Sequence, residues 1–360
     1  MTASDGALGR ASRAVWSGRG VGPALARGAL LVPAAGFRAA TALRNAAYDV
    51  GLLPVHRLPA PSLGVGNLTV GGTGKTPLCR WLALELLRRG CRVGILLRGY
   101  GGDEAEEYRE AVPRAVVVAE PDRRRGAAEA VRRGAGVLLL DDCLQRRDVR
   151  PDVLLAVVAA ESLDRPRWPL PAGPWREGLR ALRRADAVVV TRKSAPPAGA
   201  EARARSLAAR TRGGVGLVAE LVPTHLVPLS GGTPTDLGAL RGRTVVALCG
   251  IGAPEAFAAQ LAAWGPAQVG LLAFGDHHAY GDADVRAARE AAGPDGIVVT
   301  TGKDAVKLRR LWPAGPPECR VATLEVRPAD VDGYLARVLD SLAHARREPL
   351  TAAPPPERTG

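Results

Sequence analysis

The stretch TVGGTGKTP, Thr69 to Pro77, constrains the fold more than any other part of the chain. It follows the apolar run PSLGVGN (Pro61 to Asn67), which reads as a buried strand. It precedes PLCRWLALELLRRG (Pro77 to Gly90), whose apolar spacing is helical and whose Gly90 reads as a helix stop. Strand, glycine-rich loop and helix in that order build an anion-binding turn, because successive backbone N–H groups converge at a helix N-terminus. The strict pattern G-x-x-x-x-G-K-[ST] is broken, since Thr69 stands at its first glycine. The part that binds the anion is kept. Thr69, Val70, Gly71, Gly72, Thr73 and Gly74 would line the phosphates of a nucleotide such as ATP. Lys75 would reach the terminal phosphates, and the Thr76 hydroxyl would face Mg²⁺.

A loop of this kind sits at the carboxyl end of a parallel strand. The rest of the chain agrees. Apolar runs in CRVGILLRGYGG, AVVVAEPDR, GVLLLDDCLQ, DVLLAVVAA and ADAVVVTRK alternate with Ala, Arg and Leu-rich helical stretches. The expected fold is α/β: a P-loop NTPase-like parallel sheet flanked by helices, followed by a smaller α/β domain. A loop rich in Gly, Thr and Pro after LVAELVP suggests the boundary. The expected organisation is an N-terminal helical region over 1–50, a P-loop core over 51–222, a smaller domain over 223–345, and a disordered Pro-rich tail over 346–360.

The formal charge is +13, yet only 4 of the 49 basic residues are lysine, at 75, 193, 303 and 307. A bias toward Arg, Ala and Gly explains that charge, and the interleaved aromatics of single-strand binders are absent, so no nucleic-acid partner is expected. The same bias makes the rare Lys75 informative. Five cysteines without C-x-x-C spacing fit a reducing compartment. Residues 1–60 carry seven arginines and two acidic residues. Their longest apolar run, GALLVPAAGF, is too short to span a bilayer. Together with FRAATALRNAAYDVGLL it could form an interfacial helix on anionic lipid, or a packed helix with solvated arginines.

Asp141 and Asp142 close the run VLLL, where such folds hold Mg²⁺ or its water. This leaves switches, motors and small-molecule kinases open. Val70 stands where two-lysine switch loops carry their second lysine, which argues against a membrane-surface ATPase switch.

The segments GVGNLTVGGTGKTP, RGYGG, GDE, DDCLQ, LPAGPWRE, GIGAPEAF, FGDHHAY and TTGKDAVKL, in this order over about residues 50 to 340, together resemble the tetraacyldisaccharide 4′-kinase family. That resemblance implies transfer of the ATP γ-phosphate to the 4′-hydroxyl of a lipid A disaccharide 1-phosphate, with Mg²⁺. It implies a monomer on the cytoplasmic face of the inner membrane, with residues 1–50 forming the membrane-surface helix. It places the catalytic carboxylate at Asp103 and its histidine partner at His277, adds Glu104 to Thr76, Asp141 and Asp142 as a metal position, and puts Arg123, Arg176, Asn67, Gln145 and Tyr100 toward the substrate. A carboxylate suits the role, since the attacking hydroxyl must lose its proton. A forked guanidinium suits an anionic glycolipid.

The chain also departs from the family pattern. RGYGG and GDE are fused as RGYGGDE, Arg98 to Glu104, where relatives have an intervening segment. Cys143 and Arg146 replace Gly and His, Ala253 replaces Asn, and Gly302 replaces Glu. A degenerate homologue that binds nucleotide or lipid without turnover is therefore the second reading.

Overall fold

Long apolar runs and short glycine turns give strands buried on both faces. The computed structural model describes residues 15–16, 20–99, 102–193, 195–275, 278–329 and 333–345, with backbone only for Gly102 and Asp103. Tyr100, His277 and the expected tail 346–360 lie outside the described residues.

In chain order the elements begin with helix α1 (Val21–Asp49), strand β1 (His56–Arg57), β2 (Ser62–Asn67) and α2 (Lys75–Arg88). Next come β3 (Val93–Leu97), α3 (Gly102–Ala111), β4 (Val116–Ala119), α4 (Arg123–Arg132), β5 (Val137–Leu140), β6 (Val149–Arg150), β7 (Val153–Ala159) and α5 (Ala160–Leu163). The first half closes with β8 (Ala187–Arg192) and α6 (Pro197–Ala208). The second half contains β9 (Val215–Pro228), β10 (Thr235–Asp236), β11 (Thr244–Cys249), α7 (Pro254–Ala262), β12 (Gln268–Ala273) and α8 (Asp282–Ala292). It ends with β13 (Ile297–Thr301), α9 (Gly302–Leu308), β14 (Glu318–Ala329) and α10 (Tyr334–Ala345).

One twelve-stranded sheet runs β12-β11-β13-β14-β9-β8-β7-β2-β5-β3-β4, with β10 on the side of β9. Its strands are parallel except where β9 meets β14 and β10. The residues at which composition suggests a boundary, 222 and 223, lie in the middle of β9. That strand pairs with β8 over Val215–Glu220 and with β14 over Val218–Pro228. Pro223 has no N–H to give, and the β9–β14 register shifts beside it, between Thr323 and Leu324. The hydrogen-bonded ladder thus continues from the P-loop half into the C-terminal half.

Strand β2 is buried along its whole length, as are β3, β5 and β13. Helix α2 packs Leu78, Cys79, Leu82, Ala83 and Leu86 onto the sheet. It stops as its sequence suggests: Gly90 has φ 78°, its N–H bonds Leu87 O at 3.0 Å, and Cys91 N–H bonds Leu86 O at 3.0 Å.

Helix α1 is different. Its 29 residues bury only Ala34, and Val32 and Leu43 are 81% and 74% exposed. No helix among the described residues is long and apolar enough to cross a membrane. The C-terminal end of α1 is hooked to the loops of the core: Asn45 Nδ2 donates to Glu177 Oε2 at 2.8 Å, and Arg44 Nη2 donates to Gln145 O at 3.2 Å. Arg147 donates back to Asn45 O and to Asp49, and its guanidinium lies over the Tyr48 ring.

Candidate active site

The glycine-rich loop leaves β2 and is gripped from several sides. Asn67 Nδ2 donates to Thr73 Oγ1 at 3.0 Å, Thr191 Oγ1 to Thr73 O at 2.7 Å, and Lys193 Nζ to Gly72 O at 2.9 Å. Both Thr191 and Lys193 come from the end of β8. Gly71, Gly72 and Gly74 have φ of 71°, 62° and 78°, the left-handed region where a side chain is strained. At Gly74 a Cβ would also lie 2.3 Å from Leu221 Cδ1, so that side chain would have to shift.

The first two loop residues face another way. Val70 N–H is committed to Pro174 O at 2.8 Å, and Thr69 is buried in a bridge with Trp175. The N–H groups that can converge on an anion therefore begin at Gly71.

The carboxylate pair follows β5. A Cβ at Gly66 would lie 2.3 Å from Leu144 N, so the bare backbone of GVGN is what lets the Asp141–Gln145 turn pack on β2. Lys75 Nζ sits 2.9 Å from Asp141 Oδ1 and 3.2 Å from Asp142 Oδ1. Burial pulls the Lys75 ammonium down, but the charges of Asp141 and Asp142 outweigh it and hold it above its ordinary value. Asp142 has φ 57° and is the one non-glycine residue with positive φ among those described. Such conformations cost free energy and collect at functional sites. Burial would raise the Asp142 carboxyl, yet Lys75 and Arg176 hold it below the usual range.

Arg176 Nη1 reaches Asp142 Oδ1 at 2.7 Å and Oδ2 at 2.9 Å, and Gln145 Oε1 at 3.4 Å. Gln145 Nε2 in turn donates to Asn67 O at 2.9 Å. Lys75, Asp141, Asp142, Arg176, Gln145 and Asn67 are thus one connected group. Arg123 lies elsewhere: it opens α4 after the N-cap Asp122, is buried, and donates through Nη2 to Asp141 O at 2.7 Å. In this arrangement it braces the carboxylate turn through that backbone oxygen. Its Nε and Nη1 have no hydrogen-bond partner there.

Glu104 and the backbone of Asp103 lie in the first turn of α3. His277 and Tyr100 are outside the described residues, and the Asp103 side chain is not described. The neighbour of His277 is anchored: His278 stacks on Phe274 with ring centroids 4.5 Å apart, and its Nε2 lies 2.9 Å from Asp284 Oδ2.

The C-terminal half reaches the loop directly. A Cβ on Gly252, in GIGAP, would lie 2.8 Å from Gly72 N. Arg309 pairs with Glu110, joining the segment after α9 to the end of α3.

Among the described residues no three His, Cys, Asp or Glu side chains cluster to hold a metal. The donors present still fit Mg²⁺, which takes one or two carboxylates and completes its shell with water and phosphate oxygens. Asp141 and Asp142, with the Thr76 hydroxyl at the start of α2, supply hard oxygens of this type. In the structure the Lys75 ammonium lies against both carboxylates.

Sequence reasoning missed three residues here. Tyr108 OH donates to Asp141 Oδ2 at 2.8 Å; burial first and Asp141 second push its phenol well above the ordinary value, so it keeps its proton. Glu107, on the same helix, is pushed up to about 7 by burial. Lys193 was signalled by the scarcity of lysine, but its bond to the loop was not.

The chain matches the family described as tetraacyldisaccharide-1-P 4′-kinase over residues 27–114 and 102–343. The two segments overlap beside the fused RGYGGDE. Tetraacyldisaccharide 4′-kinase of Anaeromyxobacter sp. (strain K) is 38% identical over 95% of this chain and 96% of its own length. That of Geobacter sulfurreducens is 36% identical over 84% and 89%. The crystal structure of LpxK from Aquifex aeolicus in complex with ATP superposes with a TM-score of 0.64 at 27% identity, covering 88% of this chain and 99% of that one. The loop, the carboxylate turn and the similarity along nearly the whole chain agree: this protein belongs to the tetraacyldisaccharide-1-P 4′-kinase family.

Proposed function

We propose that the protein transfers the γ-phosphate of ATP to the 4′-hydroxyl of a tetraacyl lipid A disaccharide 1-phosphate. The observation that carries this reading is Lys75, held between Asp141 and Asp142 at the start of the helix that follows a glycine-rich loop, with Arg176 also on Asp142. Charge exchange follows from that geometry. The Lys75 ammonium would turn from the carboxylates to the terminal phosphates, and Asp141, Asp142 and Thr76 would then face Mg²⁺. Bound there, Mg²⁺ would supply positive charge to offset that of the phosphates during transfer.

Amides from Gly71 onward would cradle the phosphates. A surface groove lined by Val222, Pro223, Ala259 and Trp264 with the polar Lys193 and Gln260 shares Lys193 with the loop, and its apolar side chains would suit the base. Asp103, at the start of α3, would accept the proton of the attacking hydroxyl, with His277 orienting it and Glu104 near the metal. Arg176, Gln145 and Asn67 would meet the acceptor. For Arg123 the present arrangement favours bracing over direct substrate contact, and Tyr100 stays a substrate candidate by position alone.

The exposed apolar side chains of α1, together with Arg27, Arg38 and Arg44, suit insertion at an anionic lipid surface. The hooks from Asn45 and Arg44 to Glu177 and Gln145 would hold that surface beside the acceptor. We place the protein on the cytoplasmic face of the inner membrane, acting as a monomer.

Purified protein with ATP, Mg²⁺ and the disaccharide 1-phosphate tests the reading. Transfer should require Mg²⁺ and be lost in Lys75→Ala and Asp103→Ala. Full activity in Asp103→Ala would remove Asp103 as the base. ATP binding without turnover on any such lipid would instead favour the degenerate homologue.

A further inference from the structure

Tyr108 lies on α3, four residues after Glu104, so the two share a helix face. Its side chain is 1% exposed and packs in the core with Leu82, Leu86, Ile95 and Val112. A phenol in such surroundings needs a hydrogen-bond partner. It has one: its hydroxyl donates to Asp141 Oδ2 at 2.8 Å. The two oxygens of Asp141 are therefore distinguished. Oδ2 is occupied from the α3 side, and Oδ1 faces Lys75.

This asymmetry matters when Lys75 leaves for a phosphate. A carboxylate free to rotate about χ2 could then offer either oxygen or both. With the Tyr108 hydroxyl on Oδ2, the side chain keeps its orientation and presents Oδ1 toward Lys75 and Asp142. The bond also works in the other direction. It fixes the height and rotation of α3 over the carboxylate turn, and α3 carries Asp103 and Glu104 in its first turn.

We infer that Tyr108 is a positioning residue for phosphoryl transfer. It presents a single oxygen of Asp141 to the metal and sets α3 in register with that carboxylate. The inference rests on reading Asp141 as part of a Mg²⁺–nucleotide centre. Hydrogen bonds that orient a metal-ligating carboxylate generally matter as much as this role requires.

Tyr108→Phe keeps the ring and its packing and removes only the hydroxyl. Binding of a non-hydrolysable ATP analogue to the full-length variant, titrated calorimetrically with and without Mg²⁺, reads the effect apart from turnover. Metal-free binding should match wild type, while the Mg²⁺ concentration needed for tight binding should rise about 10- to 100-fold. kcat should fall with KM for the lipid unchanged. In an Asp141→Asn background the same substitution should add little, because the oriented oxygen is already gone. A Mg²⁺ response equal to wild type would overturn the inference, including where Tyr108→Phe has lost thermal stability, since the bond would then be structural only. A wild-type protein whose nucleotide binding ignores Mg²⁺ would instead contradict the metal–nucleotide reading on which the inference rests.

Discussion

Lys75 Nζ and Asp141 Oδ1 are 2.9 Å apart, so the residue expected at the phosphates closes the position expected for the metal. In this state the carboxylate pair is neutralised by the chain itself. The same contact gives the first prediction. Lys75→Ala leaves a buried carboxylate without its counter-charge, a change that typically costs on the order of 3 kcal/mol. The variant should lose transfer and melt lower than wild type. Millimolar Mg²⁺ should restore more stability to it than it adds to wild type, as thermal unfolding with and without the cation will show.

Asp142 combines a carboxylate with φ 57°. Asn tolerates the left-handed region, whereas Ala is penalised there by about 1 kcal/mol. Asp142→Asn and Asp142→Ala should therefore be similarly inactive but differ in stability, with the Ala variant lower by about that amount in denaturant unfolding. Equal stability would show that the turn relaxes freely.

Glu107 is partly buried on α3, with Lys303 of α9, Arg80 of α2, Glu104 of α3 and Asp141 around it. Burial raises its pKa from 4.5 to about 7. The folded value lies above the unfolded one, so the protonated form favours folding. The contribution is complete below about pH 4.5 and is lost as pH rises through 7. The loss amounts to at most about 3 kcal/mol, from 1.36 kcal/mol per pKa unit. Glu107→Gln should gain stability over wild type between pH 5 and pH 8, measured by denaturant unfolding at both. A difference independent of pH would contradict the shift.

Val32 and Leu43 are exposed on α1, and neither supports the core. Changing both to Asp should lower partition onto anionic vesicles by at least about tenfold, since each buried aliphatic side chain contributes about 1.5–3 kcal/mol. The unfolding temperature should stay close to wild type. Unchanged cosedimentation would remove α1 as the lipid-facing element.

Local chemistry made much of this molecule legible. The strand before the loop, the left-handed glycines at 71, 72 and 74, the stop at Gly90 and the acidic pair after VLLL are each dictated within a few residues. What depended on distant partners was not readable. Strand β9 runs through Pro223 because β14, about a hundred residues later, pairs with it and shifts register there. The family resemblance puts Arg123, the last residue of PDR, toward the substrate; the N-cap Asp122 starts a helix in which Arg123 is buried and donates to Asp141 O, a contact with a residue 18 positions away that local sequence does not show. Tyr108 has no signature at all, since its role exists only once α3 lies over the carboxylate turn.

The most direct measurement is the position of the phosphate in the product. Incubating the purified protein with γ-labelled ATP, Mg²⁺ and a tetraacyl disaccharide 1-phosphate, then locating the new phosphate by phosphorus NMR, should place it on the 4′-oxygen, with no transfer in Lys75→Ala. Label at another hydroxyl, or ATP consumed with no label in the lipid, would contradict the account.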